Sequence, residues 1–474
     1  MIVFTSITHS YLDKAMVLAE SVRRHHPSAQ MHLVLGDYPR AGFEQIYEKY
    51  FDKVVHLDTF SEAADESWLF SHTIVELCTA LKPLYALRLL QEGRERVVYL
   101  DPDTVLFSPM TELEDAHENA DIILTPHLTE PSRDWQSIVD NEMSASLHGL
   151  YNLGFFSLKQ SSAALHFCQW WADRLSKLCV GATELGQFTD QRIVDHATVF
   201  FPSVSVLRHK GFNVATWNMA ERQLWRDGRE LRVGGLPLKF YHFTGYDSGA
   251  GHKMLSRYGV HSPYLQVLWR WYNRALVRIA KGLPADRTWS LARTTYGQSI
   301  PDALRRFYRL EPVLQQLFAK PFSERGLWQV WQESASARRH LHEDMAMVRR
   351  LQRGKRAISA DAKVVAERAQ SFLRQIETVD FNGCGRICLW GANDLASVME
   401  FVLLQAGVAA KRIVWVDRDS AAISEAGQKL VAGDYVPEGG DTILICAQGA
   451  QAQIADFVRK LDTEGKVRLV AINA

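Results

Sequence analysis

The sequence predicts an α/β chain organised around mostly parallel sheets, and three observations predict it. Short apolar runs alternate with helical stretches from the N-terminus to about residue 125. A central stretch, residues 263–380, reads as helices rich in arginine, and strand–helix–strand units resume from residue 381. At 474 residues the chain is also too long for one ordinary core, since a domain takes roughly 150 residues. The expected division is a sheet domain over 1–262, a helical linker or extension over 263–380, and a small α/β domain over 381–474.

Each element follows from its own pattern. IVFTSI, MHLVLG, KVVHL, RVVYL and DIILTP are strand-like, and Leu12–His25, Phe43–Phe51 and Val75–Gln91 carry helical periodicity. Sheets of this kind bind ligands beyond the carboxyl ends of their strands. From about 150 to 260 the pattern is mixed, with strand candidates YNLGFFSL, ATVFFPSV and LKFYHF around a Trp-rich helix, Ala163–Leu178. In the helical stretch the clearest segments are LQVLWRWYNRALVRIAKG and ARRHLHEDMAMVRRLQRGKRA. The first is basic and amphipathic, which suits either packing on the sheet domain or peripheral contact with an anionic membrane surface through Trp269 and Trp271.

The C-terminal units GRICLWGAND, RIVWVDRD, DTILICAQ and VRLVAI describe a small Rossmann-like domain. A single glycine, Gly391, follows its first strand, so the dinucleotide fingerprint is not met, although Asp417 lies near where a ribose-binding acid would fall. Docking or homo-oligomerisation competes there with nucleotide binding.

Lys+Arg and Asp+Glu both count 54, so no global charge points to nucleic acid. Six scattered cysteines have neither zinc-site nor disulfide spacing, which fits a reducing, cytoplasmic setting. MIVFTSITHSYL has no basic n-region or cleavage site, so no signal peptide is expected, and no run approaches the roughly 18 apolar residues of a membrane span.

One stretch breaks its own pattern. In VVYLDPDTVLF, residues 97–107, an apolar run is interrupted by Asp101-Pro102-Asp103, although acidic residues and proline are poor in a buried strand. Residues i and i+2 of extended chain project to one side, so both carboxylates can meet one ion, Mg²⁺ or Mn²⁺. Asp-Pro-Asp is equally ordinary turn chemistry. In KFYHFTGYD, residues 239–247, His242 offers a third ligand, Gly245 a close backbone approach to a phosphate, and Lys253 beyond it a positive charge.

The motifs ELCTALKP (76–83), YLDPD (99–103), YNLGF (151–155), TDQR (189–192) and GFNVATWN (211–218) occur in that order. With them the chain resembles the GT-A fold nucleotide-sugar glycosyltransferases, and is similar to the retaining group that includes glycogenin and bacterial lipopolysaccharide galactosyl- and glucosyltransferases. The resemblance covers residues 1–262 and implies a GT-A catalytic domain with Asp101, Asp103 and His242 as metal ligands. It implies that Thr5, Thr8 and Tyr11 receive the uracil and ribose of a UDP-sugar, and that Lys82 is directed at the diphosphate or donor sugar. Asn152 and Gly154 would line the sugar pocket, and Asp190 with Gln191 would lie beside the anomeric carbon. Each has a plainer reading: Lys82 as a helix cap, Asn152 as a loop hydrogen-bonder, Asp190 as an N-cap for Gln191–His196. The chain departs from the group after Gly245, where YDSGAGHK replaces the expected Lys-Pro-Trp element, so Lys253 is displaced and Lys82 or His252 competes for its role.

The expected function is transfer of a sugar from a nucleotide diphosphate to a glycan or protein acceptor, as in bacterial surface-polysaccharide assembly, with retention favoured over inversion. A nucleotidyltransferase would carry a Gly-rich basic loop after the first strand, which TSITHSYL lacks. A non-catalytic sugar-nucleotide-binding scaffold is the reading from another class.

Overall fold

The computed structural model describes residues 1–183, 186–228, 230–259, 262–333, 385–391, 396, 400, 403, 408–417, 428–447, 450–462 and 465–471. They belong to two compact units, Met1–Arg293 and Thr294–Ala474. The sequence segment ARRHLHEDMAMVRRLQRGKRA lies outside the described residues.

The first unit opens with β1 (Ile2–Ile7), buried along its whole length, followed by α1 (Leu12–His25), β2 (Gln30–Leu35), α2 (Glu44–Tyr50) and β3 (Lys53–His56). Next comes α3 (Ile74–Gln91), which starts with a capping box: the Glu76 N–H donates to the Thr73 hydroxyl, and the Thr73 N–H donates to the Glu76 carboxylate. The apolar run that follows forms β4 (Arg96–Leu100), and beyond the Asp-Pro-Asp interruption lies β5 (Thr104–Leu106). Then come β6 (Ile122–Pro126), β7 (Tyr151–Lys159), α4 (Ser162–Leu178), β8 (Val204–Val206) and β9 (Phe240–His242). The helices α5 (Ala250–Tyr258) and α6 (Pro263–Ala280) follow.

Seven strands form one sheet in the order β8-β6-β7-β4-β1-β2-β3. Every neighbouring pair is parallel except those made by β7, which runs against both β4 and β6. The expected mixed, mainly parallel α/β sheet is therefore present. Strand β9 pairs antiparallel with β5, placing His242 opposite Thr104.

Two expectations need correction. ATVFFPSV is not one strand: Ala197–Phe200 is a helical turn, and β8 begins only at Val204. Pro202 cannot donate to a ladder, and Phe201 turns inward onto Trp170 and Phe167 while Val199 stays exposed. The helix α6 was assigned to a separate helical region, yet it lies in the first unit and buries Leu265, Leu268, Trp269, Tyr272 and Ile279 in the same core as Val105, Phe240 and Phe243. The Trp269 indole N–H donates to the Tyr241 hydroxyl at 3.1 Å, so this aromatic is a core residue rather than a membrane anchor. No described helix is long and apolar enough to cross a membrane.

In the second unit, β10 (Ile387–Trp390), β11 (Ile413–Asp417), β12 (Gln428–Val431), β13 (Thr442–Ile445) and β14 (Arg468–Ala471) form an all-parallel sheet in the order β12-β11-β10-β13-β14, accompanied by α7 (Gln451–Leu461). None of the described cysteines is in a disulfide.

Candidate metal and donor site

The turn after β4 and the carboxylates it carries are one structure. The Thr104 N–H and hydroxyl both donate to the Asp101 carbonyl, at 3.1 and 2.7 Å, which closes the Asp-Pro-Asp turn. The Asp101 N–H donates to the Gly154 carbonyl at 2.8 Å and so fixes the turn to β7. With the backbone satisfied, the side chains are free to converge. His242 Nε2 lies 3.1 Å from Asp103 Oδ1 and 3.7 Å from Asp101 Oδ2, and one ligand atom from each residue falls within 4.8 Å of the others. The motif is thus a closed turn that also brings its two carboxylates to His242.

The imidazole is oriented from behind. Asn213, at φ 52°, donates through Nδ2 to Thr125 Oγ1 and to Asn152 Oδ1, each at 3.0 Å, so its Oδ1 is the acceptor that faces His242 Nδ1 at 3.3 Å. That assigns the proton to Nδ1 and leaves Nε2 toward the two aspartates. Asn152 is fixed in turn: its Nδ2 donates to His127 Nε2, and its Oδ1 accepts from the Gly154 N–H. Burial pushes the His127 imidazole down to about 4, so the ring stays neutral and keeps this acceptor.

Gly154 is required by space. A Cβ there would stand 2.5 Å from His242 Cε1, 2.7 Å from Asn152 Oδ1 and 2.8 Å from Asp101 Oδ2. Two carboxylates and one imidazole around a gap that excludes even a methyl group fit a small divalent ion with oxygen preference.

Beside this triad lies a buried ion network. Lys82 Nζ is 3.3 Å from Asp101 Oδ1 and 3.4 Å from Asp190 Oδ2, donates to the Leu153 carbonyl at 3.1 Å, and sits 4.6 Å from the centre of the Tyr99 ring. The Tyr99 hydroxyl donates to Asp101 Oδ1 at 2.6 Å. Burial would lower the Lys82 ammonium, but Asp101 and Asp190 hold it above its ordinary value. Burial, reinforced by Asp101 and opposed by Lys82, raises the Asp190 carboxyl. Asp190 does stand before a helical turn, Gln191–Val194, but its side chain makes no cap hydrogen bond. The N-cap reading therefore fails for its side chain, and so does the helix-cap reading of Lys82.

Other expected residues divide. Gln191 is buried, but its amide is spent on backbone: Oε1 accepts from the Leu153 N–H and Nε2 donates to the His148 carbonyl, both at 3.1 Å. Thr5 is buried in β1, and its hydroxyl has no hydrogen-bond partner among the described residues. The Thr8 hydroxyl pairs with Ser10 at 2.7 Å, and the Tyr11 hydroxyl donates to Asp247 Oδ2 at 2.6 Å. Gly245 has φ 69°, and its carbonyl accepts from the Gly251 N–H, so the glycine serves a tight loop. Lys253 is exposed on α5, and no hydrogen bond or ion pair joins it to the triad among the described residues. His252 lies against Tyr246 and Trp269. The sequence reading missed the supporting roles of Asn213 and His127 and the pair Lys14–Asp247. Asn213 was visible inside GFNVATWN and Asp247 at the end of KFYHFTGYD, but His127 and Lys14 had no motif around them.

No family model matches the chain. It is 31% identical over 175 residues to the uncharacterised protein YfnF of Bacillus subtilis (strain 168), covering 36% of this chain and 57% of that one. The chain thus spans little more than half the length of this relative. Among solved structures it is similar to mouse xyloside xylosyltransferase 1 in its apo form, at 16% identity, covering 51% of this chain and 97% of that one with a TM-score of 0.32. It is likewise similar to the galactosyltransferase LgtC in complex with donor and acceptor sugar analogs, at 15% identity, covering 57% and 100% with a TM-score of 0.35.

Proposed function

We propose that the protein is a metal-dependent glycosyltransferase of the GT-A type, moving a sugar from a nucleotide diphosphate, UDP by the motif pattern, to a glycan or protein-linked acceptor such as a growing bacterial surface polysaccharide. The observation that carries this reading is the convergence of Asp101, Asp103 and His242 at the carboxyl end of the sheet, with Lys82 and Asp190 in ion contact beside it.

Asp101, Asp103 and His242 Nε2 would hold Mn²⁺ or Mg²⁺. When bound, such an ion supplies Lewis-acid stabilisation of the departing diphosphate. The remaining work falls to the chain itself. As the bond from the anomeric carbon to the diphosphate oxygen breaks, positive charge grows on the sugar, and the buried Asp190 carboxylate is the anionic group best placed to offset it. Lys82 offsets the repulsion between Asp190 and Asp101 and ties both to the Leu153 carbonyl. Asn152, pinned by His127 and Asn213, keeps a polar wall beside them. In the retaining course favoured by the motifs, the acceptor oxygen bonds to the anomeric carbon on the face the diphosphate leaves, and the acceptor proton passes to the diphosphate. Gln191 acts here as a positioning residue, tying the segment before β7 to Leu153.

The test is donor hydrolysis. The protein is incubated with UDP- and GDP-sugars and Mn²⁺, and free nucleotide is measured. Metal-dependent release from at least one UDP-sugar is expected; metal-dependent nucleotide binding without turnover of any donor would favour a sugar-nucleotide-binding scaffold, and the absence of both would reject the reading.

A further inference from the structure

Lys14 is placed where a lysine is costly. It lies in the first turn of α1, at the positive end of the helix dipole, and is only 5% exposed. Its ammonium sits 3.8 Å from the centre of the Tyr11 ring and 2.9 Å from Asp247 Oδ2, and the Tyr11 hydroxyl donates to the same carboxylate oxygen. Asp247 is half exposed and belongs to a loop bounded by Gly245 and Gly249, both with left-handed φ. That loop is rooted at the metal turn, because the Phe243 N–H donates to the Asp103 carbonyl at 2.8 Å. On the other side α1 packs on β5, and Leu106 donates its N–H to Ser21 of that helix. Lys14 therefore stands on a helix packed on β5 and against a loop rooted at the turn that carries Asp103.

Lys82, the other buried ammonium of this region, is already held by two carboxylates and a carbonyl. Lys14 has a carboxylate that a competing anion can replace at little cost, since Asp247 returns to water from a position it half occupies already.

Resting on the reading above, we propose that Lys14 is the cation that receives the diphosphate of the donor, and that Asp247 is a built-in placeholder which the diphosphate displaces. The displaced Lys253 is then not required for this contact. Tyr11 loses its acid partner in the same event and becomes free to donate to the incoming phosphate.

The probe is inorganic pyrophosphate with Mn²⁺, followed by calorimetry on the full chain, with Mn²⁺ binding alone as the control. Lys14→Met is expected to weaken pyrophosphate binding by about tenfold or more while leaving Mn²⁺ binding unchanged. Asp247→Asn, at a half-exposed position that tolerates change, is expected to tighten it. Pyrophosphate affinity unchanged in Lys14→Met, or weakened in Asp247→Asn, overturns the proposal even if the parent hydrolyses UDP-sugars. Opposite shifts in the two variants, in a parent that turns over no sugar nucleotide, sustain the anion site while the glycosyltransferase reading falls. A parent that binds neither pyrophosphate nor UDP overturns both.

Discussion

At the carboxyl end of the first unit's sheet, Asp101, Asp103, His242, Lys82 and Asp190 crowd into a network of ion contacts. In the second unit's parallel sheet a partly buried ion pair stands at the opposite, amino end. Arg386, just before β10, makes two hydrogen bonds to Asp441, just before β13, at 2.8 and 3.2 Å, and Asp441 also accepts from the Tyr435 hydroxyl and the Glu438 N–H. At its carboxyl end, Gly391 has φ 106°, and a Cβ there would stand 2.8 Å from that of Ala447. The two ends teach different things. A satisfied pair at the amino ends of strands locks neighbouring strands together, whereas two carboxylates and an imidazole converging at a carboxyl end offer oxygen and nitrogen ligands to one ion.

The comparison breaks most sharply at Asp103. Asp103→Ala should cut metal-dependent donor turnover by about a thousandfold with the fold retained by circular dichroism; a variant as active as the parent would remove the cluster from the chemistry. Next in size is Gly154→Ala, whose methyl group would press on His242 and Asp101. We expect loss of Mn²⁺ binding and a destabilisation of about 1–3 kcal/mol, read by calorimetry and urea unfolding, and normal metal affinity would show the gap to be inessential. Asn213→Ala removes the acceptor behind His242 and should weaken Mn²⁺ binding by about 10- to 100-fold without abolishing turnover. The smallest effect concerns the second unit. Burial would raise the Asp441 carboxyl, but Arg386, the Glu438 N–H and Tyr435 together hold it below the usual carboxylate range. Its stabilisation is present above the ordinary carboxylate pKa and is lost as pH falls through the depressed value. Protection factors in β10, corrected for the intrinsic exchange rate, should therefore fall on acidification, and less so in Asp441→Asn; equal acid sensitivity in both would show that this pair does not lock the sheet.

Much of this arrangement was legible in the chain because it follows local rules. The Asp101–Asp103 pair was readable from the i, i+2 projection of extended chain, and the main strands from their apolar runs. ATVFFPSV misled because the short apolar run VFF does not distinguish a strand from a helical turn, and the proline decided against the strand. The boundary after residue 262 misled because amphipathic periodicity shows that α6 has a face to bury but not against what. The pair Lys14–Asp247 spans 233 positions, and Lys14 stands in no recognisable motif, so only the packing of α1 beside the loop after β9 brings them together. Asn213 lay in a quoted motif, but its role depends on a left-handed backbone that composition does not announce.

The reversed direction of β7 has one further consequence. Because this strand enters the sheet at the reactive edge rather than leaving from it, Asn152 and Gly154 are anchored on their C-terminal side by the ladders to β4 and β6. The wall is held from the other side by His127, and the connection that follows it, up to residue 150, adds no ligand atom to the cluster. It presents Trp135, Val139, Met143, Leu147 and Leu150 to solvent and borders a recess of about 370 Å³ lined by Glu142, Ser146, Tyr151 and Arg208. Lengthening or rewriting that connection would change what approaches the cluster while leaving Asp101, Asp103 and His242 in register.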